Sequence, residues 1–418
     1  MAHRFKLLTA TRVLDGTGNG PTGDDAVLID GSSVSAIGKR AELRAPDGAS
    51  AQSIDYGDAT IMPGMVDAHT HLMAPGDGTP GDDVAREGDD ILLMQAAKNA
   101  RTVLHSGVTT IRENGAKNRV AFSLKEGIRR GLAAGPRMVV CGRPVTITGG
   151  HMWYCGSEAD GEDAARAEVR KLIKEGADYI KIMATGGSTR SSFANLPSYS
   201  VSELRAITGE AHKFGRLTAA HCASAQGVAN SLEAGVDMII HCVFEDSEGR
   251  YTFREDLAEK LAEAGAWINP TLAVIQATIQ SLEARRSQVG GLSAKDQEHM
   301  EVRKRALDQR LEATGRLARM GVKVTAGSDS PWGEYAPGHF VNEVELLASA
   351  GLTNSEALVS ATSGSAASIG VDGSAGLLAA GRQADILVVP GDPLRNIRAL
   401  AGPIDIYQAG ERIARDVR

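Results

Sequence analysis

The chain is 418 residues long, 42% hydrophobic and 23% charged, with a net charge of −7 and no block of like charges. That excludes a nucleic-acid binder, which needs a basic stripe against phosphates, and no apolar run reaches the ~18 residues of a membrane span. Four cysteines without disulfide or zinc-ribbon spacing, and an amino terminus without a long apolar stretch or small-residue cleavage site, lead us to expect a cytoplasmic globular protein.

Residues 5–60 read as short strands broken by turns: 7–13, a turn at Asp15-Gly16, then 26–29 and 33–37 as a hairpin around Asp30-Gly31. A short helix is expected at 39–43. From residue 61 short apolar runs alternate with helical patterns. The strand candidates are 61–72, 108–113, 137–141, 179–184, 217–222, 238–243, 267–272 and 322–328. Between them lie helical stretches such as 163–175, with Ala165, Val169, Leu172 and Ile173 on one face. Capping-box spacing marks helix starts at Ser200/Glu203 and Thr353/Glu356. A polar, helix-forming insertion, 279–320, separates the last two strands. Strands alternating with helices in this way are the pattern of an α/β fold, a (β/α)8 TIM barrel, over residues 61–374. Beyond about residue 375 strands and turns return, at 384–389 and 404–407. Residues 1–60 and 375–418 are therefore expected to form one small β-sandwich domain beside the barrel, the alternative being two unrelated appendages.

The chemistry begins at Asp67-Ala68-His69-Thr70-His71, the end of the first barrel strand. Strand residues two apart point to the same side, so His69 and His71 aim together into the barrel mouth as half of a metal site. Lys181 lies within Tyr179-Ile180-Lys181-Ile182-Met183, where a free ammonium is badly desolvated. Either a buried carboxylate pairs with it, or its amine adds carbon dioxide and becomes a carbamate, a hard oxygen ligand able to bridge two metals. His221, His241 and Asp329 end the fifth, sixth and eighth strands, the ends from which barrel enzymes draw their catalytic groups. Six such side chains at strand ends point to a metal centre. Cys222 and Cys242 follow two of these histidines, and alternation turns both outward under the helices; Cys141 reads as wall, and Cys155 lies in a loop. His105, His212 and His299 fall in helical patterns as surface or core residues, and His3 is terminal.

These motifs together resemble the amidohydrolase superfamily, in its imidazolonepropionase-like and prolidase-like group. The resemblance runs from Met62-Pro63-Gly64-Met65-Val66-Asp67-Ala68-His69-Thr70-His71 through Lys181-Ile182-Met183-Ala184-Thr185-Gly186-Gly187, Ala220-His221, His241 and Gly327-Ser328-Asp329-Ser330-Pro331 to Ala380-Gly381-Arg382-Gln383-Ala384-Asp385-Ile386. It implies two divalent metals, zinc by default, with His69, His71 and Asp329 on one, His221 and His241 on the other, and N6-carboxylated Lys181 bridging them. A metal-bridging hydroxide would attack an amide carbonyl, and Asp329 would carry the proton to the leaving nitrogen. His151, just past the glycine pair Gly149-Gly150, would bond the substrate carbonyl; read without the resemblance it is an exposed loop histidine. The strand-four lysine favours two-metal hydrolases over deaminases.

The resemblance implies hydrolysis of a C–N amide bond in a small molecule or short peptide, with an Xaa-Pro or Xaa-basic dipeptidase as the alternative. Carbamate or urea hydrolysis, deamination, lactonase and phosphotriesterase activities rank behind. A homo-oligomer is expected by analogy. Trp153, Tyr154, Phe193, Tyr199, Trp332 and Tyr335 lie on loops over the mouth as substrate contacts, with 185–200 as a lid. His339 is either a contact or a cap. Many prolidase-like relatives have a tyrosine where this chain has Ala223, so the group that would hold a substrate carboxylate is missing, with Arg190 and Arg250 as candidate replacements.

Overall fold

Parallel strands covered on both faces carry near-continuous apolar runs rather than alternation, and Ile180–Met183, Thr218–His221 and Met238–Ile240 are buried at every residue. A computed structural model describes residues 4–47 and 49–415 of the chain; His3 lies outside them. The three strands above continue through Trp267–Asn269 and Lys323–Val324 as one parallel sheet, and Met65–Thr70, Val108–Glu113 and Arg137–Val140 form a second. Hydrogen bonds join the edges of the two sheets at both ends. At one seam Val145 N–H donates to Lys181 O at 2.9 Å, and at the other Asp329 N–H donates to His69 O at 2.8 Å. Each of these strands is followed by helical chain, and both expected capping boxes are present.

Several expected boundaries move, each for a local reason. The run 61–72 is two strands, Ala59–Pro63 and Met65–Thr70, which belong to different sheets. They break at Gly64, where a Cβ would sit 2.2 Å from Thr109 Oγ1. The strand expected at 267–272 stops at Asn269 because Pro270 offers no N–H, and the next helix already runs over Leu272–Val289. The insertion is thus this helix and Ala294–Arg319. No helix forms at 39–43: Glu42 and Leu43 N–H donate to Lys39 O, but Asp25 takes the Arg40 N–H at 2.7 Å and its guanidinium at 2.8 Å, so the chain makes one turn only.

Two further sheets are built from the ends of the chain, one combining strands of both ends and one made of N-terminal strands alone. Ala59–Pro63 pairs antiparallel with Ile386–Pro390, which pairs with Asp405–Gln408. Phe5–Thr9 lies between Ala26–Asp30 and Ala51–Asp55 in the other sheet. Leu8, Val27, Ile29, Ile61, Ile386 and Tyr407 share one buried apolar cluster. Among the described residues no helix is long and apolar enough to cross a membrane.

Candidate metal centre

The carboxyl ends of the parallel strands bring His69, His71, Lys181, His221, His241 and Asp329 to one cavity of about 460 Å³, and His151 lines it as well. Each imidazole is fixed by one hydrogen bond on the nitrogen that faces away from its neighbours. His69 Nδ1–H donates to Asn269 Oδ1 at 2.9 Å and His71 Nδ1–H to the Gly115 carbonyl at 3.1 Å. His221 Nε2–H donates to the Gly186 carbonyl at 3.0 Å. His241 Nδ1–H donates to Thr271 Oγ1 at 2.7 Å, because the Thr271 hydroxyl spends its own hydrogen on Pro270 O at 2.8 Å. These acceptors select the tautomers.

The remaining ring nitrogens then face one another as lone pairs. His69 Nε2 lies 3.2 Å from His71 Nε2, and His241 Nε2 lies 2.9 Å from His221 Nδ1. Burial lowers the pKa of all four rings, that of His71 to about 3, so no ring proton bridges either pair. Asp329 Oδ1 completes the first group at 3.3 Å from His69 Nε2 and 3.5 Å from His71 Nε2. Converging acceptors without a donor repel unless a cation lies among them, and ligand atoms on one tetrahedral zinc lie about 3.3 Å apart. His69, His71 and Asp329 therefore fit one divalent ion, and His221 with His241 offers half of a second site.

Lys181 is buried with its Nζ 3.5 Å from Asn114 Oδ1. Among the described residues no carboxylate lies within 4.0 Å of it, so the buried ion pair considered as one alternative is not formed. Burial, reinforced by the Arg112 cation, pushes its amine down, and burial pushes the Asp329 carboxyl up. The backbone here is held in unusual conformations. Of the seven non-glycine residues with left-handed φ among the described residues, His241, Cys242, Thr271, Asp329 and Met152 line or adjoin the cavity, at a cost of about 1–3 kcal/mol each. Asp67 accepts from His69 N–H at 3.0 Å, Ser328 N–H at 2.9 Å and Ser328 Oγ at 2.6 Å, binding the first strand to the segment that carries Asp329.

His151 is buried, with Nδ1 2.8 Å from Thr189 Oγ1, and is therefore not an exposed loop residue. Thr189 Oγ1 accepts the Met152 N–H at 3.0 Å. The His151 ring lies over Gly187, where a Cβ would sit 2.5 Å from Cδ2. Burial lowers its pKa to about 3.

The expected substrate contacts divide. Trp332 lines the cavity, its ring 5.0 Å from that of His71. Tyr199 and Tyr335 are buried instead, their hydroxyls donating to Ala159 O at 3.0 Å and His339 O at 2.6 Å, which makes them wall rather than contacts. Trp153 stacks edge-on with Tyr154 outside the cavity, Phe193 is 73% exposed at the rim, and His339 is exposed and off the cavity. The 185–200 loop folds on itself, with Gly186 N–H donating to Leu196 O at 3.1 Å. Arg190 pairs with Asp83, and Arg250 with Asp246 and Glu248, so neither is free for an anion. Cys222 faces outward, 3.3 Å from Ser231 Oγ. Cys242 lies on a cavity wall beside His241, because left-handed backbone at both residues breaks the alternation that would turn it outward.

Asn269, Thr271 and Thr189 were not singled out from the sequence. Asn269 and Thr271 flank Pro270 at the end of the seventh strand, where the apolar run carries no histidine, lysine or carboxylate to mark it. Arg303 and Arg310, also on the cavity wall, carried a signal in their seven-residue spacing on a helix.

The profile of the amidohydrolase family matches residues 60–409. The chain is 24% identical to the ochratoxinase of Aspergillus niger, over 96% of this chain and 84% of that protein. Among solved structures, a Xaa-Pro dipeptidase with methionine bound in its active site superposes with a TM-score of 0.81 at 26% identity, covering 98% of this chain and 99% of that one. A prolidase complexed with N-methylphosphonate-L-proline superposes at 0.82 with 27% identity, covering 99% and 100%.

Proposed function

The chain belongs to the amidohydrolase family and is a hydrolase acting on carbon–nitrogen bonds, a family that generally uses divalent metals; from that premise we propose a two-metal hydrolase cleaving an amide in a small molecule or short peptide. The observation that carries this reading is the two pairs of imidazole lone pairs, each pair facing a common point with no proton between. We assign His69, His71 and Asp329 to one ion, His221 and His241 to the other, and N6-carboxylated Lys181 to both. Two zinc ions there would supply a hydroxide nucleophile and polarise the scissile carbonyl. The eight parallel strands are read as a closed (β/α)8 barrel over 61–374, and the two remaining sheets as a β-sandwich from 1–60 and 375–418. The reading also takes the protein as a cytoplasmic homo-oligomer.

Asp329 accepts the nucleophile's proton on Oδ2 and delivers it to the departing nitrogen, while Oδ1 stays turned toward His69 and His71. Thr189 Oγ1 accepts from Met152 N–H and donates its hydroxyl hydrogen bond to His151 Nδ1, which leaves Nε2–H as the donor into the cavity. That N–H stabilises the substrate oxygen as negative charge develops. Burial lowers the pKa of Lys181 and so favours the free amine that carbon dioxide addition requires.

A second reading, dipeptidase activity, is favoured by the likeness to the Xaa-Pro dipeptidase and the prolidase. Metal analysis of protein purified without chelator, followed by a screen of N-acyl amino acids, dipeptides and aryl amides, tests both. About two metals per chain and amide hydrolysis are expected. Fewer than one metal, with no amide cleaved after zinc and bicarbonate loading, would overturn the two-metal reading. Cleavage confined to dipeptides would select the second.

A further inference from the structure

The Ala294–Arg319 helix lines one side of the cavity, yet the reaction described above uses none of its side chains. His299, Arg303, Ala306, Arg310 and Ala313 are spaced by three and four residues and so occupy one helix face. Arg303, Arg310 and His299 reach the 460 Å³ cavity and also line an adjoining one of about 310 Å³. Ala223 and His241 border both spaces.

The two guanidiniums are poorly satisfied for groups in such a place. Arg310 is half-buried and donates from Nη1 to Pro270 O at 3.1 Å. Arg303 donates from Nε to His299 Nε2 at 3.0 Å. Among the described residues no carboxylate lies within 4.0 Å of either. Glu245, on the wall of the adjoining space, is near enough to feel both charges but forms no ion pair with them. A guanidinium offers five N–H donors in a planar fork matched to a carboxylate; leaving most of them unpaired is costly for half-buried Arg310, whereas Arg303 is exposed and keeps its remaining donors in water until a ligand arrives. Arg310 also stands within electrostatic reach of Asp329, the group that protonates the leaving nitrogen. Both residues line the same cavity.

We propose that Arg303 and Arg310 hold a carboxylate on the amine half of the substrate, so that this enzyme acts on N-acyl amino acids or on peptides with a free terminal carboxylate. The inference rests on the amidohydrolase reading of the same cavity, and its test separates the two. In the metal-loaded protein, calorimetry compares L-phenylalanine with 2-phenylethylamine, which have no amide bond and differ by the carboxylate. Each guanidinium is expected to contribute about tenfold to the preference for the acid. R303M and R310M each lower that preference about tenfold, the double variant abolishes it, and R310K retains part of it. R303M removes no hydrogen bond to backbone, so it reads the charge even if R310M disturbs the Pro270 turn. In a second arm, N-acetyl-L-phenylalanine is compared with N-acetyl-2-phenylethylamine, and R303M is expected to raise KM for the acid about tenfold more than it lowers kcat. Equal binding of the two probes by the unmodified protein, or an acid preference that survives in the double variant, would overturn the clamp. Arginine-dependent binding without hydrolysis of any amide would leave the clamp standing and remove the hydrolase reading.

Discussion

The strand-end cluster and the wall supplied by the Ala294–Arg319 helix face the same cavity but are built differently. Each imidazole of the cluster is turned by one acceptor, Asn269, Gly115, Gly186 or Thr271, and several of the surrounding residues accept left-handed backbone to keep their places. Arg303 and Arg310 of the helix have one hydrogen bond each and long side chains. Reaction chemistry needs groups held before substrate arrives, because reorganisation during the reaction raises the barrier. Recognition tolerates side chains that settle on the ligand. The difference teaches that substitutions in the cluster should alter rate and metal content, whereas those on the helix should alter which substrate is accepted.

The largest effect that sharpens this contrast is expected at Lys181. Lys181→Ala should lose bound metal and reduce kcat/KM by more than about three orders of magnitude, read by metal analysis and kinetics on the same preparation. Full turnover in that variant would remove the bridging role. Reloading of the unmodified apoprotein with metal and bicarbonate should slow as pH is lowered. The sign follows from the amine: burial depresses its pKa, and falling pH protonates it and removes the lone pair that attacks carbon dioxide.

Asp329→Asn should keep at least one metal while kcat falls by about 10²–10⁴, the range for lost proton transfer; a near-normal rate would take Asp329 out of the reaction. His151→Ala should lower kcat by about 10²–10³ with metal content unchanged, as expected for one lost donor to the developing oxyanion. A rise in KM alone would make it a binding residue instead.

The smallest effect is expected at Asn269, which touches no substrate. Asn269→Ala removes the acceptor that turns His69, and metal affinity should weaken about 10–100-fold in a chelator competition. Unchanged affinity would show that backbone geometry alone orients the ring, and the contrast between held and settling groups would lose its first term.

Much of this was legible in the chain. His69, His71, His221, His241 and Asp329 could be placed because strand ends are marked by where apolar runs stop. Lys181 stood out because a charge inside such a run needs an explanation. The splitting of 61–72 at Gly64 was not legible, since the reason for the glycine is Thr109, forty-five residues away and on another strand. The aromatic contacts were the least legible. Tyr199 and Tyr335 have the right loop positions, yet each hydroxyl finds a backbone carbonyl that no local pattern reveals. Cys242 misled because alternation presumes extended backbone, which ends at Ile240.

Local periodicity and residue chemistry were enough to determine the alternation of strands and helices and the identity of the six converging side chains, while the class of reaction came from the resemblance of their motifs to the amidohydrolase superfamily. Those properties depend on near neighbours and on intrinsic affinities of imidazole, carboxylate and amine. Which ring nitrogen is left bare, which aromatic groups become wall, and which arginines stay without a carboxylate were decided only when distant segments packed. Hydrogen-bond satisfaction is settled between groups far apart in the chain, and its outcome exists only in the folded molecule.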